Sequence, residues 1–344
     1  METRIPETAA RDKKRGAADT TYNVRTNISG REPDTASEHI PNDHSDREKP
    51  LFTGAATALI TPFQPDGSVD YPALGLLLER QIAAGIDALV LCGTTGESAA
   101  LTEEEHCEIL RYAARIIDGR VPLIAGCGSC VTAKAVALAQ SACGSGADGL
   151  LAVTPYYNKA TPAGLVRHFT AIADASAKPI LLYNVPSRTG VDIPLSVYRE
   201  LSKHPHIVGV KEASGNLSRV TQIAAAFADM PAFSLYSGCD ELTLPILSLG
   251  GRGVISVVSH LLPREVHLLC ERFFRGDAAG ARELQLSLLP LIETLFMEVN
   301  PIPVKTACSL LGFCHAQLRL PLCAMEPDHL AALQKAMADA GLLL

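Results

Sequence analysis

One lysine in this sequence lies where an amine could act as a nucleophile. Lys211 follows the apolar run Ile207-Val208-Gly209-Val210 and precedes Glu212, a pattern that predicts a buried strand ending at the lysine. Burial removes hydration from an ammonium group and lowers its pKa, so more of the amine is neutral and able to attack a carbonyl carbon near pH 7. A lysine that forms a Schiff base needs this environment. The alternative is a structural lysine paired with Glu212.

Schiff-base chemistry also needs a proton carrier and fixed donors for the carboxylate of a keto acid. Tyr183 lies near the end of a second apolar run, Pro179-Ile180-Leu181-Leu182-Tyr183-Asn184. A third run ends in Gly93-Thr94-Thr95-Gly96, where two hydroxyls stand between glycines that let backbone N–H groups approach a ligand. The recurrence of reactive side chains at strand ends predicts a shared site.

The elements that must position these side chains repeat along the chain from residue 54. Short apolar runs alternate with amphipathic stretches of helical period, which predicts a closed (β/α)8 barrel, a TIM barrel, with the helices outside. The rival is a doubly wound open sheet, but its G-x-G-x-x-G turn is missing after the first run, in Ala58–Phe63. The predicted strands are Ala55–Thr61, Ala88–Cys92, Pro122–Gly126, Gly149–Thr154, Ile180–Asn184, Ile207–Lys211, Phe233–Ser237 and Gly253–Val258.

Three regions follow from this pattern. Residues 1–50 mix charged and polar residues with almost no aliphatic periodicity, which predicts a disordered tail. The tail is too rich in acidic residues for an organelle transit peptide. Residues 51–276 would form the barrel. Residues 277–344 continue with helical periodicity and predict a small C-terminal helical subdomain, opened by the helix-interrupting prolines of Asn300-Pro301-Ile302-Pro303.

The composition of the chain limits the kinds of molecule that it can bind. The chain has 344 residues, 47% of them hydrophobic, and a net charge of −7, which argues against nucleic acid and anionic membranes as partners. No run reaches the ~18 to 20 apolar residues of a membrane span, so we expect a soluble, cytoplasmic protein. Ten cysteines are too few for a dense disulfide framework. Cys127-Gly128-Ser129-Cys130 matches the CxxC spacing of a redox pair or half a zinc site, but no second half follows.

Four segments in order resemble the signatures of a known enzyme family. They are Gly93-Thr94-Thr95-Gly96-Glu97-Ser98, Thr154-Pro155-Tyr156-Tyr157-Asn158, Tyr183-Asn184-Val185-Pro186-Ser187-Arg188-Thr189-Gly190 and Gly209-Val210-Lys211-Glu212-Ala213-Ser214-Gly215-Asn216. They resemble the pyruvate-dependent class I aldolases related to N-acetylneuraminate lyase, and among these the dihydrodipicolinate synthase family. The resemblance runs from about Phe52 to the C-terminus.

The resemblance implies condensation of pyruvate with L-aspartate 4-semialdehyde, on the route to diaminopimelate and lysine. No metal or organic cofactor is then needed, because the covalent imine with Lys211 serves as the electron sink. The family assembles as a homotetramer, a dimer of dimers, in which Tyr157 reaches the neighbouring subunit's site. The implied catalytic residues are Lys211, Tyr183, Thr94 and Tyr157, and the implied substrate-binding residues are Thr95, Arg188, Gly238 and Ile255.

The resemblance also implies a second pocket, in which some family members bind lysine as an inhibitor. Many inhibited members have asparagine at the Cys130 position and glutamate at the Lys134 position. Lys134 would repel the ammonium groups of lysine, and Cys130 could not replace the amide hydrogen bonds, so we expect weak or absent inhibition. The matching positions are Ser98, Ala99, Glu103, His106, Cys130, Lys134 and Tyr156.

Three alternatives remain open from the sequence, and thiol redox chemistry at Cys127 and Cys130 is the last of them. The first is another pyruvate-dependent aldolase, which would cleave sialic acid or 2-keto-3-deoxy sugar acids. Arg188 argues against it, since the long polyol chain of such substrates would occupy its place. The second is a catalytically silent barrel that acts as a scaffold. A metal-dependent aldolase is disfavoured because no histidine cluster lies at the predicted strand ends.

Overall fold

The computed structural model describes residues 49–343, so the predicted tail over residues 1–50 lies almost wholly outside the described residues. Eight parallel strands form a closed barrel in which each strand pairs with the next and β8 pairs with β1. The predicted (β/α)8 barrel is confirmed. The strands are β1 Gly54–Ala58, β2 Ala88–Leu91, β3 Leu123–Gly126, β4 Gly149–Val153, β5 Ile180–Asn184, β6 Ile207–Glu212, β7 Ser234–Ser237 and β8 Gly253–Ser256.

Nearly every strand residue is buried, because one face of each strand packs against the helices and the other fills the barrel. The side chains that fill the barrel interior are mostly apolar, and they include Ala56, Val90, Leu181 and Ile255. Tyr236 also lies there, and its hydroxyl donates to the Phe52 carbonyl oxygen at 2.6 Å. This packing closes the barrel as a solid core rather than a pore.

Four of the helices around the barrel begin at a capping side chain that the sequence supplies. Thr102 and Glu105 form a reciprocal capping box at the start of α2, and Asp70, Thr161 and Asn216 accept from backbone N–H groups at the starts of α1, α4 and α7. The bounds are α1 Tyr71–Ala83, α2 Glu103–Ile117, α3 Thr132–Gly144, α4 Pro162–Asp174, α5 Pro186–Thr189, α6 Leu195–Leu201, α7 Leu217–Ala226, α8 Thr243–Ser248 and α9 Pro263–Phe274.

Three further helices follow the barrel: α10 Ala278–Leu295, α11 Ile302–Leu310 and α12 Pro327–Asp339. The chain leaves helical geometry between α10 and α11, where the Asn300–Pro301 bond is cis. Helix α10 packs on α9, which belongs to the barrel, as well as on α12. Because α10 is in contact with both regions, the division of residues 277–344 as a separate subdomain stays a prediction.

The predicted strands were too long by two or more residues at two ends, and by one residue at several others. The first was predicted to reach Thr61 but ends at Ala58, and the last was predicted to reach Val258 but ends at Ser256. Leu59 and Ile60 remain buried after β1, and Val258 begins a buried 3₁₀ turn. An apolar run in the sequence indicates buried residues and not strand residues as such. At these two ends, buried residues continue beyond the last hydrogen bond between the strands. Within residues 49–343, no helix combines the length and the apolar character that crossing a membrane requires.

Candidate active site

Lys211 lies inside β6, one residue before its end, and only 6% of its surface is exposed. It pairs with Tyr183 on β5, and its Nζ lies 4.5 Å from the centre of the Tyr183 ring. Burial lowers the pKa of Lys211 to about 8, while the negative charge of Asp240 opposes the change. A substantial share of this amine is therefore neutral near pH 7.

Glu212 does not pair with Lys211, because successive residues of a strand face opposite sides. Its carboxylate accepts from Asn184 Nδ2 at 3.0 Å and from the Ser214 N–H at 2.8 Å. Burial raises the pKa of Glu212, and its hydrogen bonds to Ser214 and Asn184 partly offset the rise. The structural alternative, a lysine held by Glu212, is therefore excluded.

Tyr183 is the phenol nearest to the amine. Burial raises its pKa to about 12, and the positive charge of Arg188 and a hydrogen bond from Thr94 partly oppose the rise. The phenol thus stays protonated at neutral pH and can donate to, or accept from, a reacting oxygen.

Thr95 and Arg188 are held by one residue of the C-terminal region. Asn300 Nδ2 donates to Thr95 Oγ1 at 2.9 Å, and the Asn300 carbonyl oxygen accepts from Arg188 Nη2 at 2.8 Å. Arg188 retains further N–H donors for a carboxylate. The two residues that would recognise carboxylate groups are therefore fixed to the same support.

Gly238 lies against the lysine side chain. A Cβ atom at this position would come within 3.0 Å of Lys211 Cε and 2.6 Å of Ala213 Cβ, so any larger residue would displace Ala213 or the Lys211 side chain. Asp240, two residues after Gly238, is buried. Its Oδ2 accepts from the Val257 and Val258 N–H groups at 2.8 and 3.1 Å. Asp240 Oδ1 has no partner among the described residues.

A cavity of about 1040 Å³ opens above these residues, between the barrel rim and helices α10 to α12. It brings together five of the eight predicted residues: Thr95, Tyr183, Arg188, Lys211 and Gly238. The other three do not line it. Ile255 lies in the barrel interior, Thr94 lines a neighbouring cavity, and Tyr157 lies on the surface.

Tyr157 is the most exposed large hydrophobic side chain of the described residues, at 90%. Its φ of 71° is in the left-handed region, which a tyrosine adopts rarely. Left-handed geometry in a non-glycine residue persists only where the surrounding structure enforces it, so the position of this exposed ring is set by its loop.

The neighbouring cavity measures about 390 Å³ and shares Val185, Arg188 and Asn300 with the first. Lys134 Nζ lies 3.9 Å from Glu103 Oε1, and His106 Nε2 lies 2.7 Å from the Gly126 carbonyl oxygen. The predicted regulatory residues that line this cavity are Ser98, Ala99, Glu103, His106, Lys134 and Tyr156, whereas Cys130 does not.

The ten cysteines are free thiols. Burial raises the pKa of Cys127 to about 12, so its thiol is a poor nucleophile and a poor metal ligand. No group of three or more potential metal-binding side chains is found in residues 49–343.

Sequence reasoning missed Asn300 and Asp240. Asn300 was interpreted only as part of a helix-interrupting proline motif, although a polar residue beside two prolines in an apolar region was a usable signal. Asp240 follows strand β7 by three residues, at the same rim as the other candidates, but nothing local distinguishes it from a helix-capping aspartate.

The chain is similar over most of its length to proteins of one enzyme family. A sequence profile of the dihydrodipicolinate synthetase family matches residues 51–340. The 4-hydroxy-tetrahydrodipicolinate synthase of Caldicellulosiruptor saccharolyticus is 48% identical over 293 residues, which cover 85% of this chain and 98% of the relative. The dihydrodipicolinate synthase structure from Aquifex aeolicus is 44% identical with a TM-score of 0.83 and covers 85% of this chain and 99% of its own. The Cyanidioschyzon merolae structure with lysine bound is 42% identical with a TM-score of 0.83 and covers 86% of this chain and 100% of its own.

Proposed function

The chain belongs to the dihydrodipicolinate synthetase family, and we propose that it performs that family's condensation of pyruvate with L-aspartate 4-semialdehyde through an imine on Lys211. The observation that carries the assignment of the nucleophile is the buried amine of Lys211, with its pKa near 8, at the base of the large cavity. No organic cofactor or metal takes part, because the imine itself withdraws electrons from the neighbouring carbon.

The neutral amine of Lys211 attacks the pyruvate carbonyl carbon, and loss of water leaves a protonated imine. Loss of a proton from the pyruvate methyl group gives an enamine, whose terminal carbon attacks the aldehyde carbon of the second substrate. The amino group of that substrate then attacks the imine carbon, which closes the ring and breaks the bond to Lys211 Nζ. Tyr183 carries the protons that these steps exchange, supported by Thr94. The enclosed carboxylate of Asp240 supplies a negative charge near the protonated imine.

Thr95 binds the carboxylate of pyruvate, and Arg188 binds the carboxylate of the semialdehyde, where a planar guanidinium offers two parallel N–H groups. Gly238 and Ile255 shape the pocket, the first by leaving room for Lys211 Cε and the second by packing beneath it. Arg188 also favours a small amino-acid aldehyde over a long sugar chain.

We propose that the enzyme is a homotetramer built as a dimer of dimers, with Tyr157 completing the proton relay in its neighbour's site. Its exposure and its strained backbone support this role. Sedimentation of the purified protein measures the assembly, and a catalytically active monomer would contradict the role given to Tyr157.

We propose that the cavity around Glu103 and Lys134 responds weakly or not at all to lysine. The ammonium of Lys134 takes part in an ion pair with Glu103, and burial lowers the pKa of His106, so His106 is neutral near pH 7. Glu97 also lines this cavity, but its carboxylate is buried and paired with Lys305, so the pocket offers little negative charge to the two ammonium groups of lysine. Half-inhibition by lysine well below millimolar would contradict this proposal.

The direct test of the proposed function is borohydride trapping. Incubation with pyruvate and borohydride should add a reduced pyruvate group to Lys211, located by peptide mass mapping, and Lys211→Ala should show no adduct. Condensation with aspartate semialdehyde is then measured against cleavage of sialic acid and 2-keto-3-deoxy acids. The absence of an adduct would indicate a scaffold, and faster cleavage of sugar acids would assign the chain to another aldolase.

A further inference from the structure

A buried ion pair lies beside the segment that carries Thr94 and Thr95. Lys305 Nζ on α11 lies 2.5 Å from Glu97 Oε1, and the two side chains are 0% and 1% exposed. Neither residue lines the active-site cavity. Removing two charges from water costs so much that a buried ion pair adds little net stability. Stability alone therefore does not account for this pair.

The segment from Cys92 to Glu97 is held in an unfavourable backbone conformation. Cys92 and Glu97, at its two ends, each have a φ of 53°. Between them, a Cβ atom on Gly96 would lie 3.1 Å from the Leu59 carbonyl oxygen and 3.2 Å from the Cys92 nitrogen. Non-glycine residues keep left-handed geometry only where their surroundings enforce it. Something must therefore hold the segment at its ends.

The start of α11 holds this segment at two points. Asn300 donates to Thr95 Oγ1 at 2.9 Å, and Lys305, one helical turn further on, binds Glu97. Thr95 and Glu97 are two residues apart in the segment. One rigid element of the C-terminal region thus fixes both the carboxylate-binding hydroxyl and the strained residue that follows it.

The carboxylate of Glu97 is held on both oxygens. Oε2 accepts from the Arg319 N–H at 3.0 Å while Oε1 binds Lys305. Both cations lie against the ring of Phe63: Lys305 Nζ is 4.1 Å and Arg319 Cζ 4.3 Å from its centre. These contacts are favourable for cations and leave Lys305 little freedom to move.

We infer that Glu97 and Lys305 are positioning residues for catalysis. They hold the Cys92–Glu97 segment in the strained conformation that presents the Thr94 and Thr95 hydroxyls to pyruvate and to Tyr183. The inference rests on the proposed function, in which Thr95 binds the pyruvate carboxylate.

The test compares Lys305→Met with the double variant Glu97→Gln/Lys305→Met. The single variant leaves a buried carboxylate without its neutralising cation and should lower the melting temperature by roughly 10 °C. The double variant removes both charges and should regain most of that loss. Because the segment loses its ionic anchor at Glu97 and keeps only the contact of Asn300 with Thr95, the KM of the double variant for pyruvate should still rise about 10-fold and its kcat fall by a similar factor. Its KM for the semialdehyde should change less than about twofold, because Arg188 is bound by Asn300 rather than by Lys305.

Glu105→Gln is the matched control. It removes an ion pair with Arg319 whose side chains are 20% and 24% exposed, and it leaves the Glu97–Lys305 pair in place. Its KM for pyruvate should stay at the native value. Rates are normalised to active sites by borohydride titration at saturating pyruvate, so partial unfolding of a variant does not imitate a loss of kcat.

The outcomes distinguish failure of the proposed function from failure of the positioning role of Glu97 and Lys305. A native protein that forms no adduct on Lys211 contradicts the proposed function. A native adduct together with native KM and kcat in the double variant overturns the positioning role of Glu97 and Lys305. Equal loss of activity in the double variant and in Glu105→Gln would also overturn it, since the effect would then be one of general stability.

Discussion

The rate of imine formation should follow the titration of Lys211 with a midpoint near pH 8. Burial lowers the pKa of this lysine to about 8, so about one tenth of the amine is neutral at pH 7, compared with about one part in 2,500 for a lysine with the ordinary pKa of about 10.4. The trapping rate should therefore rise about tenfold between pH 7 and pH 9 and then level off. An ordinary lysine would instead gain nearly tenfold with each pH unit up to about pH 10.

The measurement is the initial rate of adduct formation with subsaturating pyruvate, quenched by borohydride at each pH and quantified by mass. Asp240→Asn should move the midpoint to lower pH, because the carboxylate that favours the charged ammonium is lost. Asp192→Asn is the control: Asp192 Oδ1 accepts from Asn184 and does not act on Lys211. A midpoint above pH 10 in the native protein, or an unchanged midpoint in Asp240→Asn, would refute this account of the amine.

Three further predictions address the relay, the carboxylate site and acid stability. Tyr183→Phe and Tyr157→Phe should each lower kcat about 100-fold with an unchanged melting temperature, since general acid–base groups contribute about that much; near-native rates in both would remove the relay. Arg188→Lys should raise the KM for aspartate semialdehyde at least about tenfold while the Lys211 adduct forms normally, and an unchanged KM would place that carboxylate elsewhere. Burial lowers the pKa of His260 to about 4. As the pH falls, the unfolded chain, in which this pKa is about 6.5, therefore becomes protonated before the folded protein does. The free energy of unfolding should decrease by about 3 kcal/mol between about pH 6.5 and about pH 4. The free energy of unfolding of His260→Gln, measured with urea at pH 7 and pH 5, should change less between the two pH values than that of the native protein. An equal change would contradict the assignment of this pH dependence to His260.

The barrel could be predicted because its strands are buried on both faces. Such strands appear in the sequence as short, nearly continuous apolar runs, and the runs from Ile180 and from Gly149 gave strand starts that agree with the structure. Strand ends were less predictable where buried residues continue into the loop, as at Leu59. The short helices α5, α6 and α8 were not specified, since four to seven residues show too little of the helical period.

The positions of Lys211 and Tyr183 could be predicted because each follows its own apolar run. Their supports could not be predicted in the same way. Asn300 and Thr95 are 205 residues apart, and Lys305 and Glu97 are 208 apart. Contacts over such separations depend on how the C-terminal helices pack on the barrel rim, and no local pattern encodes that packing.

A single extra residue decides which side chain of β6 faces the active site. Ile180 pairs with Ile207, but Leu181 pairs with Gly209, so Val208 has no partner on β5. Without this bulge the pairing would place Val210 beside Tyr183 and Lys211 beside Asn184. The bulge shifts the register by one residue, and such a shift moves side chains to the other face of a strand. It therefore places Lys211 beside Tyr183 and Glu212 beside Asn184, where each ionisable group meets the surroundings that set its pKa.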